Sequence, residues 1–238
     1  MIKADEAETA TDTSGTNPTV ILRSASLYNE YADLQSGSYL NTSMFRYIEP
    51  FADGAMSIRL SVPTLFSDAT GSDELGLGDV SLKWSWISHV DTKNAWLLSA
   101  EVYAPTGDED FSTEKWTIAP GITYAHFIGK NIIVAPAVVH NISFAGDSNR
   151  QDVRRTDIDL YMVYTASDKS WWITSDFTLS IDHENDDRTP MSWEAQYGRS
   201  FGKFKGAAVN AYIRPGIGIG SDRFNDWNFE FGISLIGF

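Results

Sequence analysis

The sequence predicts an all-β protein, a single antiparallel up-and-down β-barrel of about twelve strands in the outer membrane of a Gram-negative bacterium. Three observations predict it. Apolar and polar residues alternate through one strand-length segment after another. Trp and Tyr, of which there are 8 and 10, gather at the ends of those segments. The connections between segments alternate between short and long. Alternation puts the apolar set on one face of each strand. Strands in lipid must close into a barrel, because an open edge would leave backbone groups unpaired.

Residues 203–238 carry the pattern most clearly. In the first half Ala207, Val209, Ala211, Ile213, Pro215, Ile217 and Ile219 fall on one face, against Ala208, Asn210, Tyr212 and Arg214 on the other. In the second half Trp227, Phe229, Phe231, Ile233 and Leu235 oppose Asn228, Glu230, Gly232 and Ser234. The apolar face is aromatic at its end and the chain stops on Phe238, which suits a face that meets lipid.

Composition narrows the alternatives. The chain has 238 residues and no Cys, so neither a disulfide framework nor a thiolate metal site is expected. A net charge of −14 argues against nucleic acid or anionic lipid as a main partner. No run of about 18 apolar residues exists to form a transmembrane helix, but barrel strands need only about 9–11 residues each. Met1 to Ala7 carry no apolar core of a secretion signal, so a mature chain with its signal peptide removed is expected.

Taken in order, residues 1–18 are rich in Thr, Asp, Glu and Ala and read as a disordered lead-in. Residues 19–34 are ambiguous, since Ala25, Leu27, Asn29 and Tyr31 make only a poor strand face. Clear strands follow at about 41–51, 55–65, 79–89, 95–105, 115–127, 131–143, 155–166, 171–182, 191–201, 207–219 and 227–237. Outward sets such as Val80/Leu82/Trp84/Trp86 and Trp116/Ile118/Pro120/Ile122/Tyr124 repeat the final hairpin. Aromatic residues at their ends fit a girdle at each membrane interface. A sandwich with one buried face per strand is the competing fold, and it does not account for so many terminal Trp.

The short connections, such as 52–54, 128–130 and 167–170, fit periplasmic turns; the longer ones, such as 66–78, 106–114, 144–154, 183–190 and 220–226, fit outer loops. Eleven clear strands leave the chain on the wrong side for an entry from the periplasm. Residues 19–34 are therefore assigned as a first strand within one barrel domain over 19–238, with a luminal plug as the alternative.

The inward faces carry the candidate functional residues. Charges recur about three to six residues from the outer end of each strand. They are Arg46, Arg59, Lys83, Glu101, Asp159, Asp176, Glu194, Arg214 and Glu230. Basic members fall mostly on one arc and acidic ones on the opposite arc. Such a constriction would orient polar or zwitterionic solutes; alternatively the charges pair and close the lumen, and Arg214 between Glu194 and Glu230 favours pairing there. Tyr103, Tyr161, Trp172 and Tyr212 face inward as stacking partners for an aromatic solute. The longer loops are acidic, with Asp68, Asp73, Glu74, Asp108, Glu109 and Asp110 among others. They suit either plain solvation or divalent cations at the rim.

No cofactor, metal or catalytic residue is expected. His140 and Ser143 are three apart on a strand and so face opposite sides, out of hydrogen-bond reach. An outer-membrane hydrolase would need a lipid-facing His beside a nucleophile.

Four short motifs carry a resemblance. They are Gly76-Leu77-Gly78-Asp79-Val80-Ser81-Leu82, Ala104-Pro105-Thr106-Gly107-Asp108, Arg46-Tyr47-Ile48-Glu49-Pro50, and the Trp116–Tyr124 strand with Pro120-Gly121 at its centre. They resemble the outer-membrane β-barrel family associated with the meta-pathway of phenol degradation, over about residues 40–238. The resemblance implies a transporter of small, often aromatic or hydrophobic, compounds. It supplies no site residues. The expected partners are outer-membrane lipid, lipopolysaccharide and a small-molecule solute. A closed barrel that interacts through its loops is the alternative.

Overall fold

The structure is a computed structural model, and it describes residues 12–238. Thirteen strands fill twelve barrel positions. They are β1 (Ser24–Leu34), β2 (Tyr39–Phe51), β3 (Met56–Ser67), β4 (Glu74–Leu77), β5 (Val80–Val90), β6 (Asn94–Ala104), β7 (Lys115–Ile128), β8 (Ile132–Gly146), β9 (Arg154–Thr165), β10 (Trp171–Asp182), β11 (Met191–Phe204), β12 (Ala207–Ile219) and β13 (Asn225–Ile236). Each pairs antiparallel with its neighbour in sequence, and β1 pairs with β13 to close the sheet. Both β4 and β5 pair with β3, so β4 continues β5 outward past Gly78 and Asp79. The stretch 66–78, read from sequence as loop, therefore contains six residues of wall, Phe66 and Ser67 at the end of β3 and the four of β4.

The side chains are arranged inside out relative to a soluble protein. Large apolar groups lie exposed on the outer face, including Leu82 (49%), Trp96 (43%), Ile213 (48%) and Phe231 (53%). The interior is lined by buried polar residues such as Ser57, Ser61, Thr117, Thr174 and Asn210. Exposing apolar surface to water costs about 25 cal/mol per Å², so this exterior is stable only against lipid. Aromatic girdles ring both ends. Tyr31, Tyr39, Phe66 and Trp227 pack together at the long-loop end. At the short-turn end Trp96 packs on Tyr124, and Trp171 contacts Tyr164 and Tyr197. The chain is an outer-membrane barrel, with its short turns on the periplasmic side.

β1 is a full wall strand. Its polar outward residue Asn29 is satisfied across the ladder, donating to Asn41 Oδ1 (2.7 Å) and Ser43 Oγ (3.0 Å). At the end of β11 the register shifts between Ser200 and Lys203, and the strand runs on to Phe204. Lys205 and Gly206 then turn the chain with φ of 49° and 95°, the left-handed pair that matches hairpin twist.

The two motifs richest in glycine meet in space. A Cβ at Gly107 would lie 2.8 Å from the Gly78 carbonyl carbon, so the backbones touch. Asp79 then accepts from Gly107 N (3.2 Å), Ser112 Oγ (2.7 Å) and Thr113 N (3.0 Å). Asp108 Oδ2 accepts in return from Leu77 N (2.8 Å).

Candidate functional site

The lumen holds the chain's own N-terminal segment. Residues 12–23 precede β1; those up to Leu22 border a cavity in the periplasmic half of the barrel, and Arg23 is exposed at its rim, paired with Glu49. Asn210, 1% exposed on β12, donates to the Thr13 carbonyl at 2.7 Å. Tyr161 on β9 donates to the Thr16 carbonyl at 3.2 Å. Gly15 lies against Ile236 of β13, where a Cβ would meet the side chain at 2.8 Å. Contacts to the inward faces of β9, β12 and β13 put the segment inside the barrel. Residues 12–18, expected with 1–11 as a disordered lead-in, are thus placed against the wall. Residues 1–11 lie outside the described residues.

The nine inward charges all project from strands of known ring position. With β4 and β5 sharing one position, β2, β3 and β5 are the second, third and fourth of twelve. Counting six further around reaches β9, β10 and β11. Arg46, Arg59 and Lys83 therefore stand on strands diametrically opposite those of Asp159, Asp176 and Glu194. Luminal ion pairs join groups within an arc. Arg59 Nη2 contacts both Glu101 oxygens at 2.9 and 3.1 Å. Arg214 sits 3.0 Å from Glu194 and 3.8 Å from Glu230, the pairing anticipated for it. Among the described residues no ion pair spans the lumen.

The acidic side holds more groups than the sequence reading named. Glu30 on β1 is directly opposite Glu230, and Asn228 donates to both Glu30 (2.8 Å) and Glu194 (2.5 Å). Asp157 on β9 accepts from Asn141 (2.8 Å) and Ser180 (2.6 Å) and pairs with Arg155 (2.9 Å). Asp157 shares its face with Asp159, so the same alternation reveals it. Tyr28, buried on β1, carries the Arg46 guanidinium 4.8 Å above its ring.

The four inward aromatics divide. Tyr161 is tied to the N-terminal segment, and Tyr103 stands beside Glu101 on the basic side. Trp172 is 1% exposed in a periplasmic apolar cluster with Ala95, Ala125, Ile133, Ala135 and Val163. Its indole covers Gly198, as the Tyr212 ring covers Gly232, so both are packed flat on the wall. Trp172 presents no free face to a solute.

At the outer mouth the loop carboxylates cap backbone and hydroxyl donors. Asp68 accepts from Tyr39 N (2.8 Å), and Asp73 from Tyr39 Oη (2.8 Å). The Lys115 ammonium, 2.9 Å from Asp152, holds that carboxyl below its usual range, with Ser143 assisting. Among the described residues no three His, Cys, Asp or Glu side chains gather as a metal site.

On the lipid side, His140 Nδ1 and His183 Nε2 each lie 3.0 Å from Thr156 Oγ1, and His183 Nδ1 lies 2.8 Å from Asp187. If His183 donates to Asp187, Thr156 donates to His183 and accepts from His140, which commits its one hydroxyl hydrogen. Thr156 sits within the β8–β9 ladder, which has no amide pair free to hold an oxyanion. The chain of bonds tethers the outer loop 183–190 to the wall. His140 and Ser143 face opposite sides, as their spacing implies.

A family model described as "Putative MetA-pathway of phenol degradation" matches residues 31–158. The chain belongs to that family. Among solved structures, the COG4313 outer membrane channel from Pseudomonas putida F1 superimposes with a TM-score of 0.69 at 13% identity, covering 99% of each chain. NanC porin matches with a TM-score of 0.60 at 13% identity, over 90% of this chain and 99% of that one. KdgM porin matches with a TM-score of 0.59 at 11% identity, over 89% and 98%. No curated protein matches the sequence significantly. At these identities the likeness is one of fold, and that fold is the one used by outer-membrane channels.

Proposed function

We propose that this barrel is a channel for passive, selective uptake of a small polar solute, without chemistry. The observation that carries the reading is the charge arrangement. Arg46, Arg59 and Lys83 face the acidic strands β9, β10 and β11 across the lumen, and ion pairs stay within each arc. Separated arcs leave a transverse field. A low-dielectric wall focuses such a field, which orients dipolar or zwitterionic molecules as they pass. The family's association with phenol degradation supports a solute with an aromatic or hydrophobic part, and the channel and porin neighbours support passage through the lumen.

The test is single-channel conductance in a planar bilayer, with reversal potential measured under a salt gradient. Discrete steps are expected, and neutralising Arg59, Lys83 and Arg214 together should shift ion selectivity. An open pore with unchanged selectivity would remove the charge arcs from the account.

A second reading, a closed barrel, draws on the N-terminal segment, held inside the lumen at Thr13 and Thr16. It predicts no conductance steps from the full chain, and steps only once residues 12–22 are deleted.

A further inference from the structure

We propose that the luminal cavity between Arg59, Lys83 and the N-terminal segment is a binding site for a small amphipathic monocarboxylate. The inference rests on the channel reading and names the solute class for it.

Arg59 and Lys83 are directly opposite each other in the β3–β5 ladder. Like charges in that position repel and destabilise a sheet. One carboxylate, Glu101, adjoins the row, directly opposite Lys83 on β6. It is already occupied, holding Arg59 Nη2 at 2.9 and 3.1 Å and the Ser81 hydroxyl at 2.7 Å. Among the described residues no carboxylate comes within 4.0 Å of Lys83. Arg59 Nε is buried without a hydrogen-bond partner. The row therefore keeps one uncompensated positive charge and an unused donor, which suits a monoanion better than a dianion or a neutral solute.

The cavity beside this row has a volume of about 270 Å³. Its lining is two-sided. Arg59, Lys83, Ser57, Ser85, Ser99 and Thr123 supply charge and hydroxyls, while Val20, Ile21, Leu22, Ile48 and Leu97 supply an apolar surface. Asp12, the acidic side chain on the lining, accepts from Ser14 N at 3.0 Å and pairs with neither cation. At about 30 Å³ per water-sized group the space holds roughly nine such groups. That is the size of a carboxylate on a ring or a short chain. The carboxylate would face Lys83 and Arg59, and its body would lie against Ile21 and Leu97. Because residues 17–22 form one wall, the site exists while the segment is seated.

The test is calorimetric titration of the full chain in detergent micelles with benzoate and hexanoate, and with benzamide and hexanamide as neutral matches. Saturable binding of the carboxylates is expected, at least tenfold tighter than of the amides. Lys83→Met should weaken carboxylate binding at least tenfold, and Lys83→Arg should restore most of it. Glu101→Gln should tighten it, because Arg59 loses its internal competitor; a misfolded variant could not produce a gain. Equal binding of acid and amide, or no effect of Lys83→Met, would overturn the proposal. The titration needs no conductance, so the two readings fail separately. Carboxylate binding without conductance would sink the channel, and conductance without carboxylate binding would sink the site.

Discussion

Tyr161 donates its phenolic hydrogen to the carbonyl of Thr16, 145 residues earlier in the chain, and so fixes the N-terminal segment to the inner wall at β9. Asn210 does the same for Thr13 from β12. Each bond is worth about 0.5–1.5 kcal/mol net. Together they hold the segment by an amount that thermal motion can overcome on a channel's timescale. We expect Tyr161→Phe with Asn210→Ala to raise the frequency of open events in single-channel records. Deleting residues 12–22 should give a larger, steadier conductance. Unchanged records in both would mean that the segment does not limit the pore.

Trp172 packs over Gly198 on the neighbouring strand, where any Cβ would enter the indole ring. Gly198→Ala should therefore destabilise the barrel by about 1–3 kcal/mol, the range for overpacking a filled site. The measurement is the midpoint of urea unfolding in micelles. Gly202→Ala, with nothing within 4 Å of its Cβ but a φ of 99°, should show the smaller strain of backbone alone. Equal losses at the two glycines would remove the packing argument.

Most of the wall is legible because a lipid-facing barrel strand keeps a strict two-residue period, and Leu82/Trp84/Trp86 or Phe229/Phe231/Ile233 announce it. Antiparallel pairing of consecutive strands then fixes which charges oppose which, so the basic and acidic arcs follow from strand order. β1 is hard to see because Asn29 breaks its outer face, and its bonds to Asn41 and Ser43 need the register of β2. Glu30 hides with it, since its place opposite Glu230 follows only from that strand's register. The segment at residues 12–18 hides for another reason. Thr, Ser, Gly and Asn suit open solvent and a polar lumen equally, so hydropathy cannot separate the two. Trp172 and Tyr212 alternate inward as a solute-facing aromatic would; only the register shows Gly198 and Gly232 beneath them.

Asp79 gathers Gly107, Ser112 and Thr113 of the outer loop 105–114 onto the break between β4 and β5. A carboxylate that accepts several donors is worth about 1.5–3 kcal/mol per bond when the partners are otherwise unpaired. Asp79→Ala should free that loop while leaving the barrel closed. Amide exchange at Gly107 and Thr113 should speed up at least tenfold, with exchange in β9 and β10 unchanged. A global rise in exchange would instead make Asp79 part of the barrel's cooperative unit.

The tether from Thr156 to His183 and Asp187 predicts a local effect on the outer face. Thr156→Val keeps the side-chain shape and removes the hydroxyl, so two imidazoles lose their shared partner. Loop 183–190 should become more accessible to protease, with single-channel conductance unchanged. A loss of conductance would place this loop over the pore mouth.

Asp91 closes the turn between β5 and β6, and its charge can be read as a pH dependence. Its carboxylate accepts from Lys93 N (2.7 Å) and Asn94 N (2.9 Å), and His89 Nε2 lies 3.2 Å away. The amides of Lys93 and Asn94, and then His89, lower its pKa from 3.8 to about 2. A folded pKa below the unfolded value means that the ionised form favours the fold. The contribution is complete above the unfolded value of 3.8 and disappears as pH falls through about 2. We expect the difference in urea midpoint between the wild type and Asp91→Ala to be constant above that upper value. It should shrink across the interval and vanish below it. A difference that persists undiminished in strong acid would mean that turn geometry, rather than the carboxylate charge, holds this hairpin together.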